Sequence, residues 1–406
     1  LKVEIVCSYG VGMSFEYAVA PGSSRPEGLA PRRARVVAFY LPHYYPVSEA
    51  HGGSAGGSGL PTGTVFNEWS TVRNATPLYP SHAQPRAPGL LGYYDQRDPA
   101  IRQAQALLAR GAGIEAFCYL HYWFGQGQRA LDRPFNEVLT TGTPDFPFCL
   151  CWANEDFSGL RPGGAARVQQ TYNGPAGYTA HFNALLPTFQ DPRYLKVAGK
   201  PVFVVQHPEN LPDAAQFTNQ WRRLATNAGL PGLHLIALST GLAADHLIPF
   251  DAAMPTGPAD FLARAPAPSA ATRLGARFFS GKRAVAFAES VRPLPWLPLR
   301  HDYADLADTA FATLPRTARY IPCVLTGWDS TPRAGRAGLV LENFSADLYR
   351  QALERAFANV AAKKPDDRLI FIKSWNDWSN GSYLEPDTLH GTTLLEITRA
   401  LNTPAA

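Results

Sequence analysis

Eight short apolar runs punctuate the chain: Val36–Leu41, Ile114–Tyr119, Phe146–Cys151, Pro201–Val205, His234–Ser239, Phe250–Met254, Tyr320–Leu325 and Leu369–Ile372. Most are continuous rather than alternating, which is the pattern of strands covered on both faces in a parallel sheet. Between them, apolar positions recur at helical spacing. Residues 98–110 open on Asp98 as an N-cap with Pro99 at the first helical position, and the segment stops near Gly111. Gln216–Ala228 and Leu348–Ala362 carry the same periodicity. Repeated β–α units over this length predict an α/β protein of the (β/α)8 TIM-barrel type. The alternative is a doubly wound open sheet, but no Gly-rich phosphate loop follows an early strand.

The pattern also marks the boundaries. Residues 1–33, with Pro21-Gly-Ser-Ser, read as an N-terminal extension, and residues 34–400 as the barrel. A Gly/Ser segment, His51 to Gly59, lies in the loop after strand one, and residues 260–315 form a long Pro- and Arg-containing excursion. A net charge of +4 on 406 residues, with no Lys/Arg block beyond Arg32-Arg33-Ala-Arg35, argues against a nucleic-acid partner. No apolar run is long enough to span a membrane. Five cysteines without a framework spacing favour reduced thiols. The N-terminus lacks the basic start, apolar core and cleavage site of a signal peptide. A cytoplasmic setting is therefore expected, with secretion left open if Leu1 is a fragment edge.

Candidate chemistry gathers where the strands end, which in such a barrel is the active-site face. Strand one runs into Tyr40-Leu-Pro-His43, and its loop reaches Glu68-Trp69. Strand two ends in His121-Tyr122-Trp123. Strand three leads to Trp152-Ala-Asn154-Glu155, strand four to Gln206-His207, strand seven to Gly327-Trp328-Asp329, and strand eight to Trp375-Asn376-Asp377-Trp378. The opposite edge carries plain turns such as Val197-Ala-Gly-Lys200. Rings can cover the apolar face of a pyranose, amides can bind its hydroxyls, and carboxylates can do acid–base work. The expected catalytic carboxylates are Asp377, Glu155, Glu385 and Asp329. Sugar contacts are expected from Tyr40, His43, Glu68, Trp69, His121, Tyr122, Trp123, Trp152, Asn154, Trp328, Trp375, Asn376, Asn380 and Tyr383. A Trp-rich core corner with a solvated acidic loop would use the same residue types. The histidines come from separate strands without a helix-borne pair, so neither a metal nor a cofactor is expected.

Several of these stretches resemble the WbsX-like proteins, a bacterial group related to glycoside hydrolase family 99. The likeness covers roughly residues 35–397. It is carried by Ala38-Phe-Tyr-Leu-Pro-His-Tyr, Asn67-Glu-Trp-Ser-Thr-Val, Leu91-Gly-Tyr-Tyr-Asp95, Phe117-Cys-Tyr-Leu-His-Tyr-Trp-Phe, Phe146-Pro-Phe-Cys-Leu-Cys-Trp-Ala-Asn-Glu155, Gly327-Trp-Asp329 and Trp375-Asn-Asp-Trp with Gly381 and Leu384-Glu-Pro-Asp387. The resemblance implies a barrel acting on polysaccharides, either as a hydrolase or as a glycosyltransferase of surface-glycan assembly. The family pattern has Trp-Asn-Glu-Trp and a second Glu directly before the Gly, and related hydrolases use the pair as base and acid. This chain has Asp377 and Asn380 there. Asp is shorter by one methylene, and an amide has no proton to give near neutral pH. The expectation is a glycoside hydrolase acting on a polysaccharide or oligosaccharide, with Glu155 or Glu385 supplying the acid. A glycosyltransferase and a catalytically impaired sugar-binding barrel are the alternatives.

Overall fold

The computed structural model describes residues 2–6, 12–16, 32–48, 65–157, 168–238, 247–258, 297–312, 314–317 and 319–404. The Gly/Ser segment 51–59 and most of the 260–315 excursion lie outside them. Eight parallel strands form the barrel: β1 (Arg35–Tyr40), β2 (Ile114–Trp123), β3 (Phe148–Trp152), β4 (Lys200–Val205), β5 (His234–Leu238), β6 (Ala252–Met254), β7 (Cys323–Leu325) and β8 (Leu369–Lys373). Each pairs with its sequence neighbour, and β8 returns to lie beside β1. That return excludes the doubly wound order. Between β6 and β7 the barrel is held by a single bridge at Ala253 and Tyr320. There Ala253 N–H donates to Arg319 at 2.8 Å, and Ile321 N–H donates to Ala253 at 3.0 Å.

Capping explains where the helices begin. In α2 (Pro99–Gly111), Asp98 accepts from Ala100 N–H at 2.8 Å. The helix α5 (Ala214–Asn227) starts two residues before the expected Gln216 because Asp213 caps it, accepting from Gln216 N–H at 2.8 Å. Likewise α7 (Ala346–Val360) starts on Ser345, not at Leu348. Among the described residues the other helices longer than one turn are α1 (Glu68–Arg73), α3 (Arg133–Thr141), α4 (Gly174–Gln190), α6 (Tyr303–Ala312) and α8 (Thr393–Asn402). The described end of the long excursion is therefore partly regular. It contains α6, preceded by Leu299–Asp302 in parallel pairing with Leu339–Glu342. Strand β2 outruns its expected end because Tyr122 and Trp123 pair with Ala130 and Arg129. In the N-terminal extension, Lys2–Val6 pairs antiparallel with Gly12–Glu16.

Strand alternation decides which side chains enter the barrel. The register aligns Phe39 with Cys118, Cys118 with Cys149, Cys151 with Val204, and Val204 with Ile236. These face inward, and Phe39 meets Phe371 of β8 at 5.5 Å between ring centroids. The alternate positions face the helices. Tyr40 donates its hydroxyl to Gln105 of α2 at 2.6 Å. Phe203 packs on Trp221 of α5 at 4.8 Å. Each ring buried in this outer layer contributes roughly 1.5–3 kcal/mol. Cys118, Cys149, Cys151 and Cys323 are buried and form no disulfide, and burial pushes the Cys118 thiol well above its ordinary value. No helix among the described residues is long and apolar enough to cross a membrane.

Candidate active site

After β8 the chain makes a tight hairpin. Asn376–Asp377 pairs with Ser382–Tyr383, and one 3-10 turn, Trp378–Asn380, joins them. Gly381 closes the turn at φ +59°. A Cβ there would come within 2.9 Å of the Asp329 Cβ, so both the backbone angle and the close approach require glycine. The turn sets Asn380 against Asp377. The Asn380 amide nitrogen lies 3.0 and 3.1 Å from the two carboxylate oxygens and donates to them. The carboxylate is thereby fixed in orientation at a position only 2% exposed.

A second carboxylate stands nearby. Glu68 opens α1, whose N-cap is Asn67. Its Oε1 accepts from Arg333 at 3.1 Å, whereas its buried Oε2 has no partner. Burial pushes the Glu68 carboxyl above its ordinary value. Arg333 and Ser379 oppose that, and the Asp377 charge adds to it. Arg333 comes from a short helix after β7 (Thr331–Ala334) and feels Glu68, Asp377, Tyr122 and Tyr44 together. His43 is also buried, with neither ring nitrogen partnered. Burial, with Arg333 adding, drives it down to about 3, so the ring is neutral. It faces the Tyr122 ring at 5.5 Å.

Tyr122 is the half-buried inward residue near the end of β2, and it links the two walls of the mouth. Burial raises its phenol, Glu155 contributes from one side, and Arg333, Glu68 and Asp377 act from the other. On the Glu155 side, His207 lies between two carboxylates, 3.4 Å from Glu155 and 3.1 Å from Glu209. Burial alone would lower the imidazole, but the two glutamates raise it to about 9. Trp328, half-buried beyond β7, flanks the ammonium of Lys373, which lies 5.7 Å from its ring centroid.

The sequence family described as Glycosyltransferase WbsX matches residues 36–398. The chain belongs to this family. Two relatives from Xanthomonas campestris pv. campestris, each named uncharacterized protein WxcX, are 32% identical over 378 residues, covering 92% of this chain. The chain spans about half the length of these curated relatives. Among solved structures, a glycoside hydrolase-like protein shares the fold at a TM-score of 0.55 and 14% identity, covering 95% of this chain and 98% of that one. A GH99 endo-alpha-mannosidase from Bacteroides thetaiotaomicron matches at a TM-score of 0.49 and 16% identity, covering 90% and 96%.

In this WbsX-family barrel the sequence-derived candidates fall into two groups. Asp377, Asn380, Glu68, His43, Tyr122, Glu155 and Trp328 stand around the mouth. The others are turned away from it or spent on the scaffold. His121 and Trp152 are register partners on the outer face. His121 meets His181 of α4 at 2.9 Å, and the Trp152 indole donates to Trp123 O at 3.0 Å. Trp123 itself stacks on His181 at 4.7 Å. Tyr40 is bound to α2, as described above. Trp375 is fully buried against Phe117, 5.2 Å between centroids. Trp69 is buried against Trp378 and donates to Tyr94 O, and Tyr383 stacks on Trp378 at 3.7 Å.

Two asparagines act as strand clamps. Asn154 accepts from His207 N–H and donates to His207 O, both at 2.7 Å, tying β3 to β4. Asn376 does the same with Leu41, at 2.8 and 3.0 Å, tying β8 to β1. Two of the candidate carboxylates are also fully engaged. Asp329 accepts from His82, Gln84 and Thr331. Burial alone would raise it, but these bonds hold it below its ordinary value. Glu385 accepts from Tyr94 at 2.8 Å, Gln105 at 2.6 Å and Trp378 at 2.7 Å, on the α2 side of the barrel wall. Arg333 and Lys373 were not among the sequence-derived candidates, and His207 was marked only as a strand-end residue without an assigned role. Arg333 carries no local signal, whereas Lys373 shows one as the only charge in the apolar strand Leu369–Lys373.

Proposed function

We propose that the mouth of this barrel binds a glycan and hydrolyses a glycosidic bond, with Asp377 as the carboxylate that meets the reacting centre. The observation that carries this reading is the Asp377–Asn380 contact beside the buried Glu68–Arg333 pair. Two carboxyl groups in unlike environments are what acid–base chemistry needs. Asp377 is oriented by an amide that cannot itself donate a proton to a leaving group. Glu68 is pushed upward by burial and keeps one oxygen free, so it is the group we assign to hold the proton. Neutral His43 and half-buried Tyr122 supply hydrogen bonds to substrate hydroxyls, and Trp328 supplies a stacking face. Glu155 binds from the opposite wall, steadied by His207.

A second reading rests on Asn380 and on the family's description. A transferase whose donor leaves as a phosphate needs no protonated carboxyl opposite Asp377. The two readings part in one experiment. Purified protein is incubated with a panel of bacterial surface polysaccharides and, separately, with sugar-phosphate donors plus the same glycans. Hydrolysis predicts new reducing ends in the first set without any donor. Glycan extension only in the second set would replace the hydrolase reading with the transferase one.

A further inference from the structure

Lys373 is out of place by the usual rules of barrel packing. Interior positions of such barrels are filled by bulky apolar side chains, most often branched ones. Its strand obeys this at Phe371, the inward residue below it, and Phe371 touches Phe39 of β1. Lys373 occupies the next inward position at the C-terminal end of β8, beside Leu325 of β7. Its ammonium lies 5.6 Å from the Phe39 ring centroid and 5.7 Å from that of Trp328. Two rings attract a cation but accept none of its three N–H donors well. Lys373 makes no ion pair or hydrogen bond through that nitrogen among the described residues.

Among the described residues, two other cations at the mouth have counter-charges. Arg333 has the Asp377 carboxylate close by as well as Glu68, and His207 is held by Glu155 and Glu209. The Lys373 side chain is half-buried, and an ammonium with no protein counter-charge among the described residues is open to an anionic ligand. The adjoining half-buried Trp328 provides the surface on which a sugar ring would lie.

We infer that Lys373 recognises an anionic group on the sugar bound over Trp328, so that this site takes a negatively charged glycan or glycosyl donor. The inference rests on the glycan reading of the mouth and narrows it. A uronate carboxylate and a sugar phosphate present the same chemistry to Lys373, as oxygen anions able to accept its hydrogen bonds.

Binding to the whole protein by calorimetry tests it with matched pairs. One pair is an oligogalacturonate and its carboxyl-reduced neutral counterpart; the other is glucose 1-phosphate and glucose. The expected result is an affinity about 10-fold or more higher for the anionic member of at least one pair, falling with added salt. Which pair shows it tells a uronate from a phosphate. Lys373→Met should erase the preference while neutral binding remains, and Lys373→Arg should keep it. Equal binding of both members of each pair by wild-type protein would overturn the inference and leave the glycan reading intact. A preference undiminished in Lys373→Met would overturn it as well. No binding of any of the four would sink both.

Discussion

Glu385 tests whether burial or hydrogen bonding controls a carboxyl group inside this barrel wall. It is 2% exposed and accepts three hydrogen bonds, from Tyr94, Gln105 and Trp378. Donors of this kind favour the charged form, whereas burial favours the neutral one. Burial wins and pushes the group from 4.5 up to about 7, despite the three donors and the neighbouring Trp375 indole. The sign of the pH effect follows. Between about pH 4.5 and about 7 the folded protein keeps this proton and the unfolded chain has released it. The stabilisation is complete below that window and is lost as pH rises through it. A displacement of this size corresponds to roughly 3 kcal/mol. Glu385→Gln removes the titration while keeping one acceptor oxygen. Urea unfolding of both proteins across pH 4–8 should therefore shift in favour of the variant by roughly 3 kcal/mol as pH rises. Parallel curves would refute the argument. A wild-type protein that gained on the variant with rising pH would show that the donors win.

Three further outcomes are expected. Asn154→Ala leaves the His207 N–H and C=O without their 2.7 Å partners and should cost about 2–6 kcal/mol in denaturant unfolding, at about 1–3 kcal/mol per unpaired group. Gly381→Ala forces a side chain against Asp329 at a left-handed position and should lower stability by about 1–3 kcal/mol, together with any activity that depends on the Asp377–Asn380 turn. The His207 ring should remain protonated through neutral pH and titrate at about 9 in histidine NMR; Glu155→Gln and Glu209→Gln should each lower that midpoint.

The barrel was legible because its strands are buried on both faces and so read as unbroken apolar runs. The same feature hid the site. In a continuous run the letters do not say which residues point inward, so outward His121 and Trp152 read no differently from inward Tyr122. Only the register across β2, β3 and β4 separates them. Asn154 and Asn376 follow Trp residues, as sugar ligands would, yet their amides serve the backbone of the next strand. Such contacts join residues 53 and 335 positions apart, beyond any local pattern. Helix starts were misplaced where a cap lay three residues upstream, at Asp213 and Ser345. Arg333 reaches Glu68 across 265 residues from a one-turn helix, so nothing in its neighbourhood announces it.

The central claim is that Asp377 does the chemistry and Asn380 only holds it. Its most direct test is the turnover of Asp377→Asn, measured beside wild type on whichever glycan wild type converts, with thermal unfolding as the control for folding. Asparagine nearly matches aspartate in size but removes the carboxylate. A positioned acid, base or nucleophile of this kind supplies on the order of 10²–10⁴-fold in rate. Turnover lowered by at least about 10²-fold, with an unchanged unfolding midpoint, is the predicted result. Wild-type turnover in a folded Asp377→Asn protein would contradict the account and leave the mouth as a binding site whose chemistry lies elsewhere.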